Sequence, residues 1–222
     1  RCLSDWSSDV CSSDLGYAGY YLVRNNFSLA IPGLTLQGFT KGQLGLAFSA
    51  VSLAYGISKF VMGTVSDHSN ARIFLPLGLI LASIINLALG LIPALTSSIT
   101  VMFIVLFILG WVQGMGWPAG GRVLVHWFSI NERGSKTSVW NIAHNIGVAL
   151  MAPIATAGIA LVGSYFAFTG IKSYNGAFLL PAIFAIITAI LAYLAIRDTP
   201  ESEGLPPDRK STRLNSSHLG IS

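Results

Sequence analysis

Three ionisable side chains, Arg24, Lys59 and His144, stand deep inside long apolar runs. At 1.5 Å per helical residue, Arg24 lies about 18 Å from Leu36, Lys59 about 12 Å from Asp67, and His144 about 18 Å from Glu132. A charge at the centre of a bilayer costs at least ~2.5 to 3.5 kcal/mol on an isolated helix unless it is paired or wet. No carboxylate occurs at similar depth, so two cations and an imidazole are expected to require an anion from outside. Arginine offers a planar fork matched to phosphate oxygens, and lysine a compact point charge. Histidine is a donor whose protonation can follow the second ionisation of a phosphate ester. A phosphate monoester fits best, whereas a carboxylate or sulfate leaves at least one of the three groups poorly compensated. Taken singly, each residue has a plainer alternative. Arg24 can bond backbone carbonyls, Lys59 can snorkel inward, and His144 can be a satisfied packing residue.

Polar and aromatic neighbours extend this candidate substrate site. Tyr17, Tyr20 and Tyr21 lie within two turns of Arg24. Trp140 and Asn141 precede His144 by four and three residues, and Gln113 precedes Trp117 by four, spacings that share a helix face. Gly110, Gly114, Gly116, Gly120 and Gly121 permit close helix approach and rocking, or plain packing. There is no HExxH helix, no GxSxG turn and no carboxylate beside His144 or His126, so no catalytic residue, metal or cofactor is expected.

The elements that must carry these side chains follow from composition. Of 222 residues, 53% are hydrophobic and only 10% charged, with a mean hydropathy of +0.66. Soluble proteins carry about 25% charged residues, so a soluble enzyme is excluded. The net charge of +4 comes from scattered Lys and Arg, which also excludes a nucleic-acid partner. Six apolar blocks of membrane-spanning length are predicted as helices, at 16–36, 42–65, 73–94, 98–127, 133–164 and 176–196. They lack the period-two alternation of a membrane barrel. Arg72, Arg133, Lys136 and Arg197 fall at one side and Lys41 and Lys172 at the other, which places the first side, and the N-terminus, in the cytoplasm.

Both ends differ from the rest. Asp5 to Leu15 and Asp208 to His218 are encodable as reverse complements of one DNA stretch and resemble translated sequencing-adapter DNA. Residues 1–15 and 208–222 are therefore expected to be adapter-derived artefacts, which removes Cys2 and Cys11 from any redox or metal argument. The stretch 16–207 is expected to be a fragment open at both ends.

Gly63, Asp67 and Arg72, within GTVSDHSNAR, resemble the loop signature of the major facilitator superfamily. Together with GYAGYYLVRNNFSLAIP, AYGISKFVMGTVSDHSNARIFLP, GWVQGMGWPAGGRVLVHWFS, SVWNIAHNIG and RDTPESEGLPP, they make 16–207 similar to the N-terminal half of the organophosphate:phosphate antiporters. The resemblance implies an all-α polytopic fold in the cell membrane, embedded in a lipid bilayer and completed by a second six-helix half that supplies another arginine. It also implies import of a phosphate ester against inorganic phosphate by rocking about a midplane site, with glycerol 3-phosphate favoured by NFSLAIP and QGMGWP. Arg24, Lys59 and His144 match the family's motif residues. Asn25 departs from it, standing where the family often has a lysine, which weakens the local positive field. Hexose-phosphate and phosphoglycerate carriers, and a hexose-phosphate sensor, belong to the same wider family. Arg122, His126, Glu132 and Arg133 are expected to make gate or loop contacts.

Overall fold

A computed structural model describes residues 15–128, 130–165 and 171–196, and no strand occurs among them. In hydrocarbon an apolar run must satisfy its own backbone, so each block folds as helix. The helices are α1 (15–22), α2 (Phe27–Thr35), α3 (Lys41–Asp67), α4 (Ala71–Leu91), α5 (Ile99–Gln113), α6 (Gly116–Trp127), α7 (Ile130–Tyr165) and α8 (Gly176–Ala195). Among the described residues five stretches are long and apolar enough to cross a membrane, with α5 and α6 together forming one of them. The suspect terminal segments, apart from Leu15, lie outside the described residues, as does the side chain of Glu132.

The second, third, fifth and sixth blocks form helices within a few residues of their expected bounds. The first and fourth correct the expectation of continuous helices. The first crossing is broken at residues 23–26, between α1 and α2. Here Ser28 offers a side chain that competes with the backbone ladder, and the Asn26 amide turns instead to Asn86 of α4. Ser28 Oγ donates to the Asn25 carbonyl at 2.6 Å. The fourth crossing is interrupted at Gly114 and Met115, where Ser58 of α3 reaches across and donates to the Trp111 carbonyl at 2.5 Å. A side chain inserted into the ladder is an ordinary cause of such a kink.

The predicted separators act as caps. Thr40 and Gln43 form a reciprocal capping box at the start of α3, and Asn70 Oδ1 accepts from the Arg72 N–H at 2.9 Å to start α4. Small residues then let the helices close up. Ala182, Ala185, Ala189 and Ala192 form one fully buried stripe of α8, which packs against α4 and α7, while α3 packs on α5. Gly110 of α5 lies against the backbone of Val51 in α3, and a Cβ there would collide with the Val51 carbonyl. The Gly110→Val variant of the full-length protein is therefore expected to be destabilised by about 1 to 3 kcal/mol, read as a lower thermal midpoint in detergent.

Candidate functional site

Local sequence dictates which side chains meet at mid-bundle. On α3, Tyr55 precedes Lys59 by one helical turn, so both project from one face. The Lys59 ammonium lies 4.4 Å from the Tyr55 ring centroid and 5.3 Å from that of Trp117 on α6. The other face of this arrangement belongs to the broken first crossing. There the Arg24 guanidinium carbon sits 3.7 Å from the Tyr55 ring centroid and 5.5 Å from that of Tyr21. Tyr55 thus joins the two cations.

The third member enters through the same aromatic rings. Tyr21 and His144 of α7 have ring centroids 5.2 Å apart, and Tyr17 stacks on Trp140 at 4.4 Å. Trp117 meets Trp140 edge-on at 5.7 Å, and the Tyr17 and Tyr21 hydroxyls are 3.4 Å apart. Gly120 makes this possible, because a Cβ at that position would come within 2.8 Å of the Trp140 ring. Arg24, Lys59 and His144 therefore border one aromatic-lined cluster, each of them half-buried. Trp140 is buried, and its indole N–H has no acceptor among the described residues.

The other sequence-derived candidates divide. Tyr17, Tyr21, Trp117 and Trp140 belong to the cluster. Gln113 does not share a face with Trp117, because the helix breaks between them; it is buried and its amide donates to the Tyr20 carbonyl at 3.3 Å. Tyr20 is turned away as well, its hydroxyl donating to the Leu75 carbonyl at 2.8 Å. Asn141 is exposed, and among the described residues no hydrogen bond joins its side chain to the cluster. The residue that sequence reasoning missed is Tyr55. Its signal was available in the four-residue spacing to Lys59.

At the end of the bundle that carries Asp67 and Arg72, arginines bind the last carbonyls of neighbouring helices. Arg122 donates to the Ser66 and Asp67 carbonyls at 3.0 and 2.6 Å, closing α3. Arg72 donates to the Tyr193 carbonyl at 3.2 Å, near the end of α8, and lies 5.3 Å from the Tyr193 ring. Arg133 donates to the Val125 and Phe128 carbonyls at 2.7 and 3.0 Å, closing α6. Cations at helix C-termini complement the helix dipole. Gly63 and Asp67 line a groove of about 440 Å³ with Trp117, Pro118, Arg122 and His126, and Trp117 also belongs to the aromatic cluster.

The electrostatics of the cluster are one-sided. Between residues 15 and 196 the only carboxylates are Asp67 and Glu132, against eight Lys and Arg (24, 41, 59, 72, 122, 133, 136 and 172). Asp67 ends α3, about 12 Å along the helix from Lys59. Ring faces supply ~0.5 to 2 kcal/mol per cation, less than the ~2.5 to 3.5 kcal/mol that a mid-bilayer charge costs. They shield Arg24 and Lys59 without neutralising them. Among the described residues no group of three or more His, Cys, Asp or Glu is placed to hold a metal ion.

Comparison with known proteins agrees with the all-helical fold. A family profile described as "Major Facilitator Superfamily" matches residues 14–220. The glycerol-3-phosphate transporter of Bacillus subtilis (strain 168) is 54% identical over 193 residues, 87% of this chain and 41% of the relative. That of Haemophilus influenzae is 46% identical over 201 residues, 88% of this chain and 41% of the relative. The chain thus spans about two fifths of the length of these relatives. In fold it is similar to a crystal structure of a bacterial homologue of the human lysosomal transporter Spinster, inward-facing and unoccupied. The TM-score is 0.74 with 15% identity, covering 88% of this chain and 44% of that one.

Proposed function

This chain belongs to the Major Facilitator Superfamily, and from that premise we propose that it is one six-helix half of a membrane antiporter that imports glycerol 3-phosphate in exchange for inorganic phosphate. The observation that carries the reading is the convergence of Arg24, Lys59 and His144 on one aromatic cluster with no carboxylate among them. Two fixed cations and two further donor groups suit a phosphoryl dianion. The planar Arg24 fork takes two oxygens, Lys59 supplies a second charge, and His144 and the Trp140 indole N–H are free to donate to the ester. The choice of glycerol 3-phosphate rests on the relatives.

No covalent chemistry is involved. With the site empty, like charges face one another across the cavity, and a bound dianion draws the two halves together. The ligand shifts the inward-open to outward-open equilibrium only by its preference for the occluded arrangement. The arginine-capped end, with Gly63, Asp67 and Arg72, is read as cytoplasmic, which puts the N-terminus on that side. Residues 16–207 form the transporter half, and 1–15 and 208–222 derive from adapter DNA; sequencing the source gene through both boundaries checks this.

The experiment is counterflow in proteoliposomes containing the full-length protein. Vesicles loaded with phosphate are expected to take up labelled glycerol 3-phosphate, and vesicles without internal phosphate are not. Faster exchange of a hexose phosphate would overturn the choice of ester. Binding without exchange would favour a sensor.

A further inference from the structure

The break in the first crossing has a polar anchor on the side facing away from the cluster. Tyr20, Val23 and Asn26 are spaced by three and all buried, while Tyr17, Tyr21 and Arg24 contribute to the cluster. Asn86 of α4, itself fully buried, donates to the Val23 carbonyl at 3.1 Å and to the Ala82 carbonyl at 2.9 Å, and its oxygen accepts from the Asn26 amide at 2.8 Å. Its bonds to the first crossing land on the residue before Arg24 and the residue two after it. One turn earlier, Gln113 holds the Tyr20 carbonyl and the Tyr20 hydroxyl holds the Leu75 carbonyl.

Taken together, these contacts assign a task. We infer that Asn86, supported by Asn26 and Gln113, is a positioning residue that keeps the first crossing unwound at residues 23–26 and so aims the Arg24 guanidinium at the phosphoryl group. The inference rests on the phosphate-binding reading above. A carbonyl released from a helical ladder in hydrocarbon costs several kcal/mol unless something else bonds it. Asn86 meets that need for Val23. Apolar side chains of similar volume fill buried space at no polar cost, so packing alone does not call for two buried amides here. Without Asn86 the cheapest repair is to rewind the helix through residues 23–26. Each residue of regular helix turns the chain by about 100°, so rewinding redirects Arg24 relative to Tyr55.

The test uses the full-length protein in proteoliposomes, with phosphate exchange rates measured across phosphate concentration and normalised to folded protein. Asn86→Ala is expected to raise KM for phosphate about tenfold while the maximal rate changes less than about twofold. A merely structural role gives the opposite split, fewer active molecules at unchanged KM. Asn86→Asp keeps the acceptor for Asn26 but loses the donor to Val23, and is expected to follow Asn86→Ala. Gln113→Ala, which releases the Tyr20 carbonyl, is expected to show the same split if Asn86→Ala does not fold. Unchanged KM in whichever variant folds overturns the inference, and so does failure of both to fold, which makes the anchor a folding element. Absence of exchange in the unsubstituted protein instead overturns the phosphate reading itself.

Discussion

Replacing Arg24 with lysine is expected to lower phosphate exchange by the full-length protein at least ~100-fold. The substitution keeps the charge and removes the fork, so the loss isolates geometry from electrostatics. Two parallel charge-assisted hydrogen bonds to phosphate become at most one, and each is worth ~1.5 to 3 kcal/mol. The shorter reach of a single ammonium also takes the charge off the Tyr55 face, where the guanidinium carbon now sits 3.7 Å from the ring centroid. Exchange of labelled phosphate in proteoliposomes matched for incorporated protein measures the effect. Exchange within about threefold of the unsubstituted protein would mean that Arg24 is a packing residue and that its convergence with Lys59 is incidental.

The second large effect is expected at Lys59, where glutamine retains a donor and removes the charge. KM for phosphate should rise at least tenfold, and Lys59→Arg should recover part of the loss. The structure gives Lys59 a specific orientation. Its ammonium rests between Tyr55 and Trp117, on the ring system that also receives Arg24. A purely snorkelling lysine would contribute nothing to phosphate affinity, so initial rates across phosphate concentration separate the two. Lys41→Gln, at the opposite end of α3, is the control and should leave KM unchanged.

Much of this was legible in the residues because lipid makes the rules strict. Runs such as Ala71–Leu91 and Gly176–Ala195 have one foldable form in hydrocarbon, and Thr40, Gln43 and Asn70 announce their helix starts. Depth alone singled out Arg24, Lys59 and His144, since an unpaired ionisable group inside a span is costly enough to need a reason. What sequence spacing concealed were the interruptions. At the break at residues 23–26 the distant partner is Asn86, sixty residues after Asn26, and at the kink near Gly114 it is Ser58 of another helix. No local pattern reports such partners. The kink in turn explains Gln113: a four-residue spacing to Trp117 means a shared face only in an unbroken helix. Tyr55 was hidden differently, because a tyrosine in a membrane helix looks like packing until two cations are found on its ring.

Between residues 15 and 196 no carboxylate stands at mid-membrane to balance Arg24 and Lys59, and the proposed phosphoryl group would supply that counter-charge. Calorimetric titration of the full-length protein in detergent with inorganic phosphate tests this most directly, beside the Arg24→Gln variant. Saturable phosphate binding is expected, which glycerol 3-phosphate displaces, acetate at equal concentration does not, and Arg24→Gln abolishes. Phosphate binding of undiminished affinity in Arg24→Gln, or none in the unsubstituted protein, would contradict it.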